Sequence, residues 1–135
     1  MESGSVKALS KYRFEKALSN LLTAKALYAT GEYGFALNRA YYAAFHAMKA
    51  VNALDGFDSS KHSGVIAHFN QEYVKTGTFP AATSAVIRRA SMLREKSDYE
   101  DFYEPEKEET EETIEKVETF LRSTEAYLKS QSVLD

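Results

Sequence analysis

The chain has no cysteine. Disulfides, zinc–thiolate sites and iron–sulfur clusters are therefore excluded, and the composition fits a reducing compartment. No apolar run approaches the length of a membrane span. Residues 1–10 lack the apolar core of a signal peptide, so the chain reads as a soluble, cytoplasmic protein with no membrane partner. Strand-like alternation of period two is missing, as are internal repeats and low-complexity tracts. The sequence also lacks a glycine-rich phosphate loop, the Glu-x-x-His pairs of a di-iron bundle and a serine in an elbow motif. His62 and His68, six residues apart, share a helix face too poorly to hold a metal. Neither a metal nor a cofactor is expected.

What remains is one globular domain over residues 1–135, long enough for a real core. Its net charge of −3 conceals an asymmetry. Residues 1–94 hold twelve Lys/Arg against six Asp/Glu, and residues 95–135 hold five against fourteen. A basic body with an acidic last helix can present a phosphate-binding surface, although a merely solvated acidic helix satisfies the same count.

Helical periodicity predicts a first helix over residues 6–29, with Leu9, Tyr12, Ala17, Leu18, Leu21, Leu22 and Tyr28 inward and Gly31 as its stop. A second covers 35–54. Ser59 or Ser60 is expected to cap a third over roughly 61–75, and a fourth follows over about 81–97. The acidic and aromatic connector 97–104 is expected to cover the bundle. Pro105 then fits the first turn of a fifth helix reaching Lys129, whose early glutamates suit its positive end. The expected fold is all-α, an antiparallel up-and-down bundle of four long helices and one shorter.

The second helix is the centre of this plan. It contains no proline or glycine, and its composition marks a helix buried on most sides. Leu37, Tyr41, Ala44, Met48 and Val51 share one face; Arg39, Tyr42, Ala43, His46, Lys49, Ala50 and Ala53 share the opposite one. Arg39 and His46 sit two turns apart, about 20° out of line and roughly 10 Å along the axis. The alanines around them are small enough for another helix or a substrate to come close. A neutral histidine can move protons at a ribose 2′-hydroxyl or a leaving 5′-oxygen, and an arginine fork can hold the non-bridging oxygens. One copy supplies one such histidine, and a two-fold dimer would supply two. A plainer reading stands beside this one, in which Arg39 pairs with a carboxylate and His46 is a satisfied interface histidine. Lys61 and His62, in the first turn of the third helix, add a second place where a phosphate would be held.

The run Asn38-Arg39-Ala40-Tyr41-Tyr42-Ala43-Ala44-Phe45-His46 resembles the motif of HEPN domains (higher eukaryotes and prokaryotes nucleotide-binding). Segments 60–66 and 73–77, with Arg94 and the pair Asp98-Tyr99, resemble the small stand-alone members of that family. The resemblance implies a helical bundle, usually dimeric, in which the Arg/His motifs of two subunits meet in a cleft. It implies a metal-independent endoribonuclease, in some members a toxin whose antitoxin is a minimal nucleotidyltransferase. Arg39 would hold the scissile phosphate, His46 would transfer protons, and Asn38 would complete the catalytic group. Tyr42, Lys49, Lys61 and His62 would contact RNA or a nucleotide. The alternative is a non-catalytic nucleotide- or RNA-binding subunit working with such a nucleotidyltransferase. Ala40 stands where active motifs often carry a polar residue, and Met48 stands where some toxins carry a tyrosine that accepts AMP.

Overall fold

A computed structural model describes residues 3–135, and every described helix belongs to one bundle. The elements are α1 (Ser3–Ala29), α2 (Tyr33–Asn52), α3 (His62–Phe69), α4 (Ala82–Tyr99) and α5 (Lys107–Ser130). A 3₁₀ turn (Ala53–Asp55) extends α2, and a π-helical turn (Asn70–Val74) extends α3. No strand occurs among the described residues. The expected all-α architecture is the one found. Of the N-terminal segment read for a signal peptide, Met1 and Glu2 lie outside the described residues.

α2 is the axis. Ala36, Ala40, Tyr41, Ala43, Ala44, Ala47, Met48, Ala50 and Val51 have no exposed surface, because α1, α3, α4 and α5 all pack on it. Its most extensive partner is α1. Small side chains on both helices allow that closeness, and the Ser10 hydroxyl donates across it to the Ala50 carbonyl at 2.7 Å. α1 stops where glycine allows it: Gly31 has φ 81°, its N–H reaches the Tyr28 carbonyl, and the Glu32 N–H reaches Leu27. Gly34 lets α2 begin against the end of α4, since a Cβ there would lie 2.6 Å from the Ser97 hydroxyl.

Several sequence expectations need correction. The buried stripe of α1 is Ser10, Phe14, Ala17, Leu21 and Ala24, while Leu9, Tyr12, Leu18 and Leu22 are exposed. The helix carries two apolar stripes, and the one with small residues wins because it alone admits the alanines of α2. α3 is short. Its N-cap is Lys61, whose N–H donates to the Ser59 hydroxyl at 3.1 Å, so neither serine occupies the cap position. Glu106 occupies the N-cap position of α5 without a side-chain cap bond, which places Pro105 one residue before the cap and outside the first turn. The connector does not cover the bundle: Tyr99 and Phe102 project into solvent.

Away from α2's polar strip, Phe69, Phe79, Phe120, Tyr73 and Tyr127 pack around α3–α5, mostly edge-to-face, with Phe69 stacked on Tyr73. A second lock holds the 55–58 loop: Tyr73 donates to Asp55 at 2.8 Å, His68 bonds the same carboxylate, and Phe57 stacks on His68 at 3.8 Å.

Candidate active site

Helical spacing leaves one narrow strip of α2 uncovered, through Phe35, Asn38, Arg39, Tyr42, His46 and Lys49. Arg39 is clamped there by neutral oxygens. Its Nε and Nη2 donate to Asn38 Oδ1 at 2.9 and 2.7 Å, and its Nη1 donates to Asn20 Oδ1 at 2.9 Å. The guanidinium also sits 5.0 Å from the Tyr42 ring centroid. Arg39 makes no ion pair with a carboxylate among the described residues. Its orientation is fixed, its charge is uncompensated, and two of its five N–H donors are spare.

His46 is half-buried one helical stretch further on, and no described group hydrogen-bonds its ring nitrogens. Burial pushes its pKa down to about 4, helped by Lys16, Lys49, Arg39 and Arg13. At neutral pH it is a free imidazole within a basic patch. Among the described residues, then, Arg39 meets no carboxylate and His46 no hydrogen-bond partner.

The depressed value has a consequence for stability. Between an ordinary 6.5 and the folded chain's 4, protons bind the unfolded chain preferentially. The contribution of neutral His46 is complete above pH 6.5 and is lost as pH falls toward 4. The thermal midpoint of the wild type is expected to fall more steeply between pH 7 and pH 5 than that of His46→Gln. Equal slopes in a pH series of melts would count against a buried, neutral His46.

A hydrogen-bonded chain ties the strip to the other helices. Asn38 Nδ2 donates to Asp98 Oδ2 at 3.0 Å, and the same oxygen lies 3.6 Å from Arg94 Nη1. Arg94 is buried against the rings of Tyr41 and Tyr42, at 4.8 and 5.6 Å from their centroids. Tyr41 in turn bonds His62 Nδ1 at 2.9 Å. At the far end, Arg13 and Lys49 meet Asp58 at 3.2 and 3.7 Å. Partial burial pushes the Asp58 carboxyl up, but Arg13, the Ser59 N–H and Lys49 outweigh it and hold the carboxyl below its usual value.

Of the residues singled out from the sequence, Asn38, Arg39, Tyr42, His46 and Lys49 lie together on the strip. His62 joins them sideways, stacked on Phe45 at 4.2 Å and edge-on to Tyr42 at 5.7 Å. Lys61 does not join: it is exposed at the start of α3, and its ammonium makes no ion pair among the described residues. The alanines also read differently in three dimensions. Ala43, Ala50 and Ala53 are buried inside the chain, so they offer no surface to a second copy. No group of three or more metal-ligating side chains is gathered among the described residues.

The profile of the HEPN domain family matches residues 10–127. The chain belongs to the HEPN family. Two similar proteins of Methanocaldococcus jannaschii are candidate toxins by name. One is 35% identical over 120 residues, 89% of this chain and 82% of its own length. The other is 36% identical over 115 residues, 85% of each chain. A UPF0332 protein of Thermotoga maritima is 35% identical over 119 residues, 88% of this chain and 90% of its own. This is a toxin-like HEPN protein.

Within this HEPN domain, Met48 and Ala40 are both fully buried, so neither position where other members carry a polar side chain faces solvent here. Asn38 supplies the acceptor for Arg39 instead. Sequence reasoning missed Asn20, the only side-chain amide of α1, and gave Asp98 no place at the site. A lone amide among alanine and leucine was the available signal for Asn20. Nothing local in the sequence linked Asp98 to residue 38.

Proposed function

We propose that this toxin-like HEPN protein is a metal-independent endoribonuclease in which Arg39 and His46 carry the cleavage. The observation that carries the reading is the pair itself: an arginine held by amide oxygens with donors to spare, and a histidine kept neutral, on one half-buried strip. Imidazole in that state accepts the 2′-hydroxyl proton, and the spare N–H groups hold a phosphate as charge builds on its oxygens. Arg13, Lys16 and Lys49 around His46 favour a polyanion. RNA binds along the strip, where Tyr42 and exposed Phe35 offer rings to its bases. An open depression of about 430 Å³ beside Lys49, lined by Asp58, Ser59 and Ser60, continues the same surface.

The active form in this reading is a homodimer joined along the strip, and a nucleotidyltransferase antitoxin is the expected protein partner. Both come from the family resemblance and from the toxin names of the relatives. One observation favours the second reading, a non-catalytic nucleotide- or RNA-binding subunit of such a pair: position 40, beside the arginine, carries only a buried alanine.

Incubation of the purified protein with total RNA in EDTA separates the two, with product ends mapped and His46→Ala run in parallel. The wild type is expected to cleave, leaving 2′,3′-cyclic phosphate or 3′-phosphate ends, and the variant is expected to leave RNA intact. Equal cleavage by both would assign the activity elsewhere. Binding of RNA without cleavage would favour the non-catalytic subunit.

A further inference from the structure

Asp98 stands where a helix gains nothing from a carboxylate. It is the last residue but one of α4, and negative charge in a final turn opposes the helix dipole. Its i,i+4 partner Arg94 comes before it, the less favourable order for such a pair, and their contact is loose at 3.6 Å. The shorter contact is to another helix: the same Oδ2 accepts from Asn38 Nδ2 of α2 at 3.0 Å. Local helix physics does not account for this carboxylate, and the tertiary contact does.

That contact closes a circuit between α2 and α4. Asp98 holds Asn38, whose Oδ1 accepts from both Nε and Nη2 of Arg39 at 2.9 and 2.7 Å. The Arg39 guanidinium lies 5.0 Å from the Tyr42 centroid, buried Arg94 lies 5.6 Å from the same ring, and Arg94 returns to Asp98. Two guanidinium groups thus share one ring and are joined again through one carboxylate and one amide. Asp98 can only accept and Arg39 can only donate, so the Asn38 amide fits between them in a single orientation. Two cations against one carboxylate leave the circuit a positive charge. Direct pairing of Arg39 with Asp98 would commit a fork of its donors to an opposite charge; the neutral amide orients the guanidinium without that cost. Without Asp98 the Asn38 Nδ2 is left to water, and this half-buried side chain is free to change rotamer. Asn20 then holds Arg39 at Nη1 alone, and one bond does not fix the plane.

We propose that Asp98 is a positioning residue for cleavage. It fixes the Asn38 amide, and through it the plane of the Arg39 guanidinium, while leaving that group's charge to the scissile phosphate. This rests on the ribonuclease reading above and deepens it. Arg94 restrains Asp98 from within α4 and offsets a negative charge that would otherwise repel the phosphate.

The first readout needs no RNA. Heteronuclear NMR of arginine side chains reports how fast each Nε–H exchanges with water, and the signal lost in Arg39→Lys is that of Arg39. In the wild type this proton is expected to exchange slowly. Asp98→Ala and Asn38→Ala are each expected to speed its exchange about tenfold or more. Asp98→Asn is expected to restore slow exchange to within a few-fold, because one oxygen serves both Asn38 and Arg94 and an amide supplies one. Single-turnover cleavage is expected to follow the same order, with Asp98→Ala slower by about tenfold or more. In a chain already carrying Asn38→Ala, the Asp98→Ala change is expected to add no further loss. Thermal melts show which variants are folded, and Asp98→Ser, too short to reach the amide, serves should the alanine variant not fold. Unchanged Arg39 exchange in a folded Asp98→Ala chain would overturn the proposal and leave the ribonuclease reading standing. A full second loss of cleavage on top of Asn38→Ala would do the same, as would an Asp98→Asn chain no better than Asp98→Ala. Failure of the wild type to cleave RNA would remove the ribonuclease reading itself, and the role in cleavage with it.

Discussion

Arg39→Ala is expected to lower RNA cleavage about a hundred- to a thousandfold, the cost of removing a preorganised donor from developing phosphate charge. Arg39→Lys is expected to do almost as badly. The geometry gives the reason: three guanidinium N–H groups are committed to Asn38 and Asn20, and the remaining two have no partner among the described residues. An ammonium has three donors and no fixed plane, so it cannot satisfy both amides and still present an oriented pair. Neither substitution touches the core, and the circular-dichroism melt should stay close to wild type. Single-turnover cleavage of a defined RNA is the measurement. Restoration to within a few-fold by lysine would mean that charge alone matters and that the amide clamp is incidental.

Phe120→Ala is expected to produce the largest loss of stability, about 3–5 kcal/mol, or roughly 10–20 °C in the thermal midpoint. The ring is buried, with edge-to-face neighbours Phe69 at 5.5 Å and Phe79 at 5.8 Å. Those rings come from α3 and from the segment before α4, and α5 supplies Phe120 itself. Removing it leaves a cavity where three segments meet, and aromatic neighbours collapse poorly into such a gap. A urea titration would measure it. A loss below about 1 kcal/mol would show that the surrounding rings repack freely.

How far the site was legible in the sequence depends on distance along the chain. Arg39, Tyr42, His46 and Lys49 follow one another at three- and four-residue steps, with Asn38 beside the first, so the periodicity of a single helix was enough to gather them. His62 was noticed for its place at a helix start, yet its hydrogen bond beside the strip is to Tyr41, which the wheel had assigned to the core face. Both assignments hold, because the Tyr41 ring is buried while its hydroxyl reaches the edge of α3. Asn20 and Asp98 come from helices whose facing could not be read locally. α1 shows why. The expected stripe held Ala17 and Leu21 correctly but also took in Leu18 and Leu22, which are exposed, and it left out Phe14 and the small Ser10 and Ala24, which are buried. Helix–helix approach rewards small size at the contact, which hydropathy does not register.

The sequence by itself determined that the chain is helical, that α2 is its buried axis, and that an arginine and a histidine lie on one side of that axis. Composition and a 3.6-residue period are sufficient for each of those. Only the tertiary structure decided what the pair is: an arginine clamped by amides from α1 and α2, and a histidine kept neutral by burial and by cations on α1 and α2. It decided as well that the alanines beside them are used within the chain and that His62 shares their surface. Charge state and orientation are set by neighbours distant in sequence, and those neighbours exist only once the helices have packed.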